Sequence, residues 1–244
     1  MTDTRTAIVT GASHGIGAAV SQRLARDGFA VIVNYAGSAA EAEALVSKIK
    51  ADGGQAIPVK ADVSDPKAVA ELFDVAQSSF GGVDVLVNNA GIMQLAAIAD
   101  ADDAFFDRHI AVNLKGVFNG LREGARRLRP GGRIISFSSS VVGLYQPNYA
   151  VYAATKAGVE AMTHVLSKEL RGRNITANVI APGPTATELF LKGKPQDVID
   201  TYTRLAPLER LGQPEDIANA VAFLAGPDGA WINGQVLRAN GGII

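Results

Sequence analysis

The chain contains no cysteine, which excludes disulfides, thiol catalysis and cysteine-ligated metals; no metal site is expected. It has no apolar run approaching the roughly 18 residues of a membrane span. Neither sign of charge dominates. The 23 Lys and Arg against 24 Asp and Glu give a formal net charge of −1, and no basic run suggests a nucleic-acid groove. Residues Met1 to Thr6 lack the apolar core of a signal peptide, so the cytoplasm is the expected compartment. What is there is a globular composition, 48% apolar over 244 residues, enough for one large domain or two small ones. No linker or internal repeat divides it, and one domain, 1–244, is expected.

Apolar β-rich runs alternate with helical patterns along the whole chain, the signature of an α/β fold with a parallel sheet. Thr6 to Thr10 reads as a strand leading into Gly11-Ala-Ser-His-Gly15-Ile-Gly17 and then a helix to about Asp27. In that context glycines let the backbone approach a pyrophosphate at a helix N-terminus, with Ser13, His14 and Ile16 in the same turn. The spacing is G-x-x-x-G-x-G, not the usual G-x-G-x-x-G, and a Gly-rich loop alone is often only a tight turn. Strands follow at Ala30–Tyr35, Gln55–Lys60 and Val83–Val87, with helices at about 39–52 and 66–80 between them. Asn88, Asn89, Ala90 and Gly91 then lie at a strand's C-terminal edge, where doubly wound sheets bind ligands.

A long helix is expected from about Asp102 to Arg129. It carries Asn113 in an apolar pattern, where an amide needs partners, and His109 one turn earlier, read as structural. Further strands are expected at Arg133–Phe137, Ile175–Ile180 and Gln235–Arg238, with a final helix opening at Pro214. The helix from about Ala150 to Leu170 sets Tyr152 and Lys156 at i and i+4, on one face. A phenol titrates near pH ~10; an ammonium beside it favours phenolate and lowers that value, making a tuned acid/base pair. A Tyr above a Lys is also common on helix surfaces, so the pair gains meaning only from its company.

That company is Thr10-Gly-Ala-Ser-His-Gly-Ile-Gly17, Asn88-Asn-Ala-Gly91, Asn113, Ser139, Tyr152-x-x-x-Lys156 and Pro182-Gly183, in this order. Over essentially the whole chain it resembles the short-chain dehydrogenase/reductase family, in the branch holding β-ketoacyl reductases, hydroxynaphthalene reductases and glucose dehydrogenases. The resemblance implies a single Rossmann-type, doubly wound sheet of seven parallel strands in the order 3-2-1-4-5-6-7 with helices on both faces. It implies reversible hydride transfer between a nicotinamide and a carbonyl/alcohol pair. Tyr152 would be the general acid/base, Lys156 would lower its pKa and hold the nicotinamide ribose, and Ser139 would donate to the carbonyl oxygen. Asn113 would hold a water near Lys156. Thr185 and Thr187 would hold the carboxamide beside Pro182 and Gly183.

Three serines precede Val141-Val142-Gly143, so the catalytic serine has two candidates. The distance to Tyr152 selects Ser139; counting back from Val141 selects Ser140. Many relatives have Asp where this chain has Asn240. Met93, Ser140, Leu144, Tyr145, Gln146, Tyr149, Phe190 and Leu191 are expected to line a mostly apolar substrate pocket, covered by the segment at about 185–211, that takes a hydrophobic or aromatic ketone. Cofactor-binding regulators of the same fold normally lose Tyr152 or Lys156, and both are present. An NAD-dependent alcohol dehydrogenase is the other alternative.

NADP is expected over NAD. Where NAD enzymes of this fold place an acid, the sequence runs Val33-Asn34-Tyr35-Ala36-Gly37-Ser38, and Asn34 and Ser38 offer donors to a 2′-phosphate. Many NADP-using relatives have arginine at the position of His14, and some a basic residue at that of Ala36. Asp62 and Val63 should meet the adenine. In relatives, the segments matching Ala218–Leu224 and Gln235–Arg238 pack across a two-fold axis, so the resemblance implies a homotetramer.

Overall fold

The computed structural model describes residues 4–244. Seven parallel strands form one sheet in the order β3-β2-β1-β4-β5-β6-β7. They span Thr6–Val9 (β1), Ala30–Tyr35 (β2), Gln55–Lys60 (β3), Val83–Asn88 (β4), Leu128–Phe137 (β5), Thr176–Pro182 (β6) and Val236–Ala239 (β7). Ala7 and Val9 of β1 face one core with Val31 and Val33, while Ile8 faces the other with Ile32 and Leu86. This is the period-2 alternation of a strand buried on both sides.

The first core is covered by α1 (Gly15–Arg26), α2 (Ala39–Ala51) and α10 (Pro214–Ala225), the second by α3 (Pro66–Phe80), α5 (Gly116–Arg127) and α7 (Ala150–Glu169). The helix starts are written locally. Asp65 accepts from the Lys67 amide at 2.9 Å ahead of Pro66, and Gln213 and Asp216 form a capping box around Pro214. The strand order reverses between β1 and β4, and that places a crevice at their C-terminal ends.

Several boundaries differ from the sequence reading. The helix expected from about Asp102 to Arg129 is three pieces, α4 (Asp103–His109), a π-helical turn (Ile110–Lys115) and α5, and it stops at Arg127. β5 begins at Leu128 rather than Arg133, after a register shift between Val83 and Val85. β6 runs on to Pro182, and β7 is displaced by one residue. Three further short helices emerge: α6 (Val141–Leu144), and, within 185–211, α8 (Glu188–Leu191) and α9 (Gln196–Leu205), none of which buries a residue completely.

The apolar stretch Ala218–Leu224 is largely covered within the chain: Ala218, Val221, Ala222 and Leu224 are buried in the first core beside α1. Phe223 remains exposed, as do Val236 and Leu237 on the edge strand and Trp231 at 98%.

Candidate active site

Two clefts open at the C-terminal edge of the sheet, and they share Ile16, Asn89, Gly91, Ile92, Thr187 and Leu189 as walls. The first lies over the glycine turn. Gly11 and Gly15 have φ of 61° and 54°, left-handed values that glycine adopts without penalty. A Cβ on Gly17 would stand 2.6 Å from Asn89 Nδ2, so only glycine lets α1 start this close to β4. His14 occupies the N-cap without a side-chain bond, and no acid stands in the first turn. The leading amides of α1 therefore remain open to an anion. Asn89 locks the turn from across the sheet, donating to Thr10 O at 2.9 Å and Gly11 O at 3.0 Å.

Gly11, Ser13, His14, Gly15, Ile16, Gly17, Asn34, Tyr35, Ser38, Asp62, Val63, Asn89, Ala90 and Gly91 all border this cleft. Asn34 corrects the expectation placed on it. It is buried, its Oδ1 accepts from the Gly11 amide at 3.2 Å, and its Nδ2 is spent on Ala61 O at 3.0 Å and on Val59 O and Tyr35 O, each at 3.3 Å. It braces the glycine turn and has no donor left for a phosphate. Ser13, His14 and Ser38 keep theirs. Asp62 accepts from the Ser64 amide at 2.9 Å, and that bond holds its carboxyl below the usual range. Arg108 and Val112, unforeseen, line the same cleft. They stand four apart on the helical segment that carries Asn113, which was the available signal.

The second cleft gathers Ser139, Ser140, Tyr152 and Lys156 with Met93, Leu144, Gln146, Tyr149 and Phe190. Pro182, Gly183, Thr185 and Thr187 border it too. Tyr145 is corrected: it is 82% exposed with φ 49° at the end of α6 and points away. Leu191 does not reach the cleft, and its place is taken by Leu189 and by Tyr202 of α9.

The three serines face three ways. Ser138 Oγ donates to Glu160 Oε1 at 2.6 Å, tying β5 to α7. Ser140 is buried, donates to Ala181 O at 3.4 Å and accepts from Asn240 Nδ2 at 3.0 Å. Only Ser139, half-buried, turns its hydroxyl towards Tyr152; its Oγ accepts weakly from the Val141 amide at 3.4 Å, which leaves the proton free. The same contacts explain Asn240, whose amide supplies the proton that Ser140 Oγ accepts.

Lys156 is buried and donates to Phe137 O at 2.9 Å, with Nζ 5.6 Å from the centre of the Tyr152 ring. Burial pulls it down to about 8. Burial also pushes the Tyr152 hydroxyl up to about 12, against a partial lowering by Ser139. The expected depression of the tyrosine by the lysine is therefore not seen in these side chains alone: burial sets the direction, and the Ser139 bond is what opposes it.

Asn113 is wholly buried in the π-helical turn, a geometry that recurs at functional sites. Its Oδ1 accepts from the Ile92 amide at 2.8 Å and its Nδ2 donates to Ile92 O at 2.9 Å. The amide thus clamps the loop after β4 and keeps only the second lone pair of Oδ1. That oxygen and Lys156 Nζ lie 3.2 and 3.6 Å from where a Cβ on Gly91 would stand. His109 is structural as expected: Nδ1 bonds Phe105 O at 2.8 Å and Nε2 accepts from the Gln94 amide at 3.2 Å. Thr185 donates to Gly183 O at 3.0 Å, and Thr187 caps α8.

The profile of a family described as "Enoyl-(Acyl carrier protein) reductase" matches residues 11–244. The chain is 46% identical to a short-chain type dehydrogenase/reductase of Picea abies over 98% of its own length and 92% of the relative's. It is 43% identical to an NADPH-dependent aldehyde reductase-like protein, chloroplastic, of Arabidopsis thaliana, over 98% and 94%. Its structure superposes with a TM-score of 0.93, at 38% identity and covering 99% and 98% of the two chains, on a short-chain dehydrogenase from Burkholderia cenocepacia in complex with NADP.

Proposed function

The chain belongs to the short-chain dehydrogenase/reductase family and is an NAD(P)-dependent oxidoreductase, and from that premise we propose that it reduces a ketone to a secondary alcohol with NADPH. The observation that carries this reading is the convergence of Ser139, Tyr152 and Lys156 on a cleft that shares its wall with the glycine-turn cleft. The glycine cradle and the open amides of α1 suit a dinucleotide pyrophosphate. When bound, the dinucleotide supplies the hydride.

The chain's own residues do the rest. Ser139 Oγ donates to the carbonyl oxygen, a single oxyanion donor. Tyr152 delivers the proton to that oxygen; a hydroxyl pushed up to about 12 is fully protonated at neutral pH, the form that reduction consumes. Lys156, with protons left after its bond to Phe137 O, restores the tyrosine and holds the ribose. Thr185 and Thr187 hold the carboxamide.

NADPH is favoured because no acid stands at the end of β2, where Tyr35, Ala36, Gly37 and Ser38 border the cleft. An acid there would repel a 2′-phosphate. Ser13, His14 and Ser38 donate to it in this reading, and Arg108 is the one Lys or Arg lining the cleft among the described residues. Loss of reduced-cofactor absorbance with a ketone panel tests the reaction. The ratio of kcat/KM for NADPH and NADH tests the cofactor, and a preference for NADH overturns that part.

We further assign a homotetramer, supported by the exposed edge strand and Phe223. Light scattering that returns a monomer at micromolar concentration overturns it. No helix among the described residues is long and apolar enough to cross a membrane. We assign the cytoplasm, to be checked by cell fractionation, since the Arabidopsis relative is named chloroplastic.

A further inference from the structure

The segment covering the second cleft is held to the body by little polar contact. Among the described residues, the side-chain hydrogen bonds of residues 188–208 close on near neighbours in the chain, with one exception. Tyr202 Oη donates to Gln146 Oε1 at 2.6 Å across 56 positions. The Tyr202 ring also meets Phe190 edge-on at 5.4 Å, so its hydroxyl is fixed in direction as well as in place.

This bond sets the amide of Gln146. With Oε1 turned to Tyr202, its two N–H donors have no hydrogen-bond partner among the described residues, yet Gln146 lines the cleft. The Tyr149 hydroxyl lies beside that of Tyr202, and burial, with the bond between the two hydroxyls, pushes it up. Ile92, Met93, Val141, Leu144, Leu189 and Phe190 line the same cleft with apolar side chains. The cleft therefore holds, besides the reacting groups, N–H donors that the chemistry does not use.

We propose that Gln146, set by Tyr202 with Tyr149 beside it, forms a second oxygen-binding subsite, and that the preferred substrates are ketones carrying a further acceptor oxygen beyond the one reduced. This deepens the ketoreductase reading and rests on it. A ketone without that oxygen leaves desolvated donors unpaired, and sites built to bond a substrate oxygen discriminate strongly against analogues that lack it.

The test uses the intact enzyme with NADPH and a matched set of substrates: propiophenone and its ortho-, meta- and para-hydroxy isomers. At least one isomer is expected to exceed propiophenone in kcat/KM by about tenfold or more, the scale of one hydrogen bond to a donor that the bound substrate covers. Ring hydroxylation also alters the ketone's intrinsic reactivity, so the decisive quantity is how that ratio changes in variants. In Gln146→Leu it should collapse towards the ratio seen with a chemical hydride donor, and in Tyr202→Phe it should fall part of the way. NADPH binding and the melting temperature report that each variant is folded; if Gln146→Leu is not, Tyr202→Phe decides alone. A ratio unchanged in the folded variants, or no preferred isomer in the parent, overturns the subsite while leaving the ketoreductase intact. Failure to reduce any ketone overturns both.

Discussion

Lys156 reaches past Tyr152 to the carbonyl oxygen of Phe137, 2.9 Å away, and stands 5.6 Å from the centre of the tyrosine ring. The lysine is thus anchored to β5, and the tyrosine is free to face substrate. Tyr152→Phe removes the proton donor and nothing that touches the glycine turn. Turnover should fall below detection while the NADPH dissociation constant, measured by fluorescence titration, changes less than about threefold.

Lys156 gives a stability signature. Its folded value of about 8 lies below the 10.5 of a free lysine, so between these values the unfolded chain binds the proton that the folded chain has released. Stability of the ligand-free protein should therefore rise with pH from about 8 towards 10.5 on account of this group, and gain nothing below 8, where both states are charged. The rise should be missing in Lys156→Met, and should therefore appear in the difference between wild type and that variant in urea denaturation across that range.

Ser139→Ala and Ser140→Ala should separate chemistry from structure. Loss of the Ser139 donor should cost about 10²–10³ in kcat with the melting temperature unchanged. Ser140→Ala removes a buried hydroxyl bonded to Ala181 O and Asn240 Nδ2 and should cost roughly 1–3 kcal/mol of stability with a smaller effect on kcat. Chemical denaturation beside steady-state kinetics checks both; a severe kcat loss in Ser140→Ala would reverse the assignment.

Asn34→Ala should raise KM for NADPH and NADH together by about tenfold, because the side chain braces the Gly11 turn that either dinucleotide would use. A loss confined to NADPH would mean that Asn34 meets the 2′-phosphate after all.

The sheet was legible because its evidence is local. Strands such as Ala30–Tyr35 and Gln55–Lys60 are continuous runs bounded by glycines and charged residues, and both have the expected limits. The features that escaped depend on contacts between distant positions. The π-helical turn keeps the apolar spacing of an ordinary helix, and only the backbone bond from the Gly116 amide back to Ala111 O reveals the wider turn. Asn34 looks like a spare amide until Gly11, Val59 and Ala61 are brought around it. Ser139 and Ser140 cannot be ranked by counting, because the counts from Tyr152 and from Val141 differ by one; the direction of each hydroxyl separates them. Tyr145 resembles a pocket aromatic in sequence, and its left-handed backbone turns it outward.

The bond between Ser140 and Asn240 spans 100 positions, and its consequence lies in the order of synthesis. A nascent chain delivers the glycine turn, Asn113 and the Tyr152 helix well before β7 leaves the ribosome. Until then the loop that follows β5 has no amide to seat its third serine. A chain cut short ahead of β7 would retain the sequence of the dinucleotide cradle and lack the last support of the reacting edge, so the final strand acts as a keystone whose arrival completes the site.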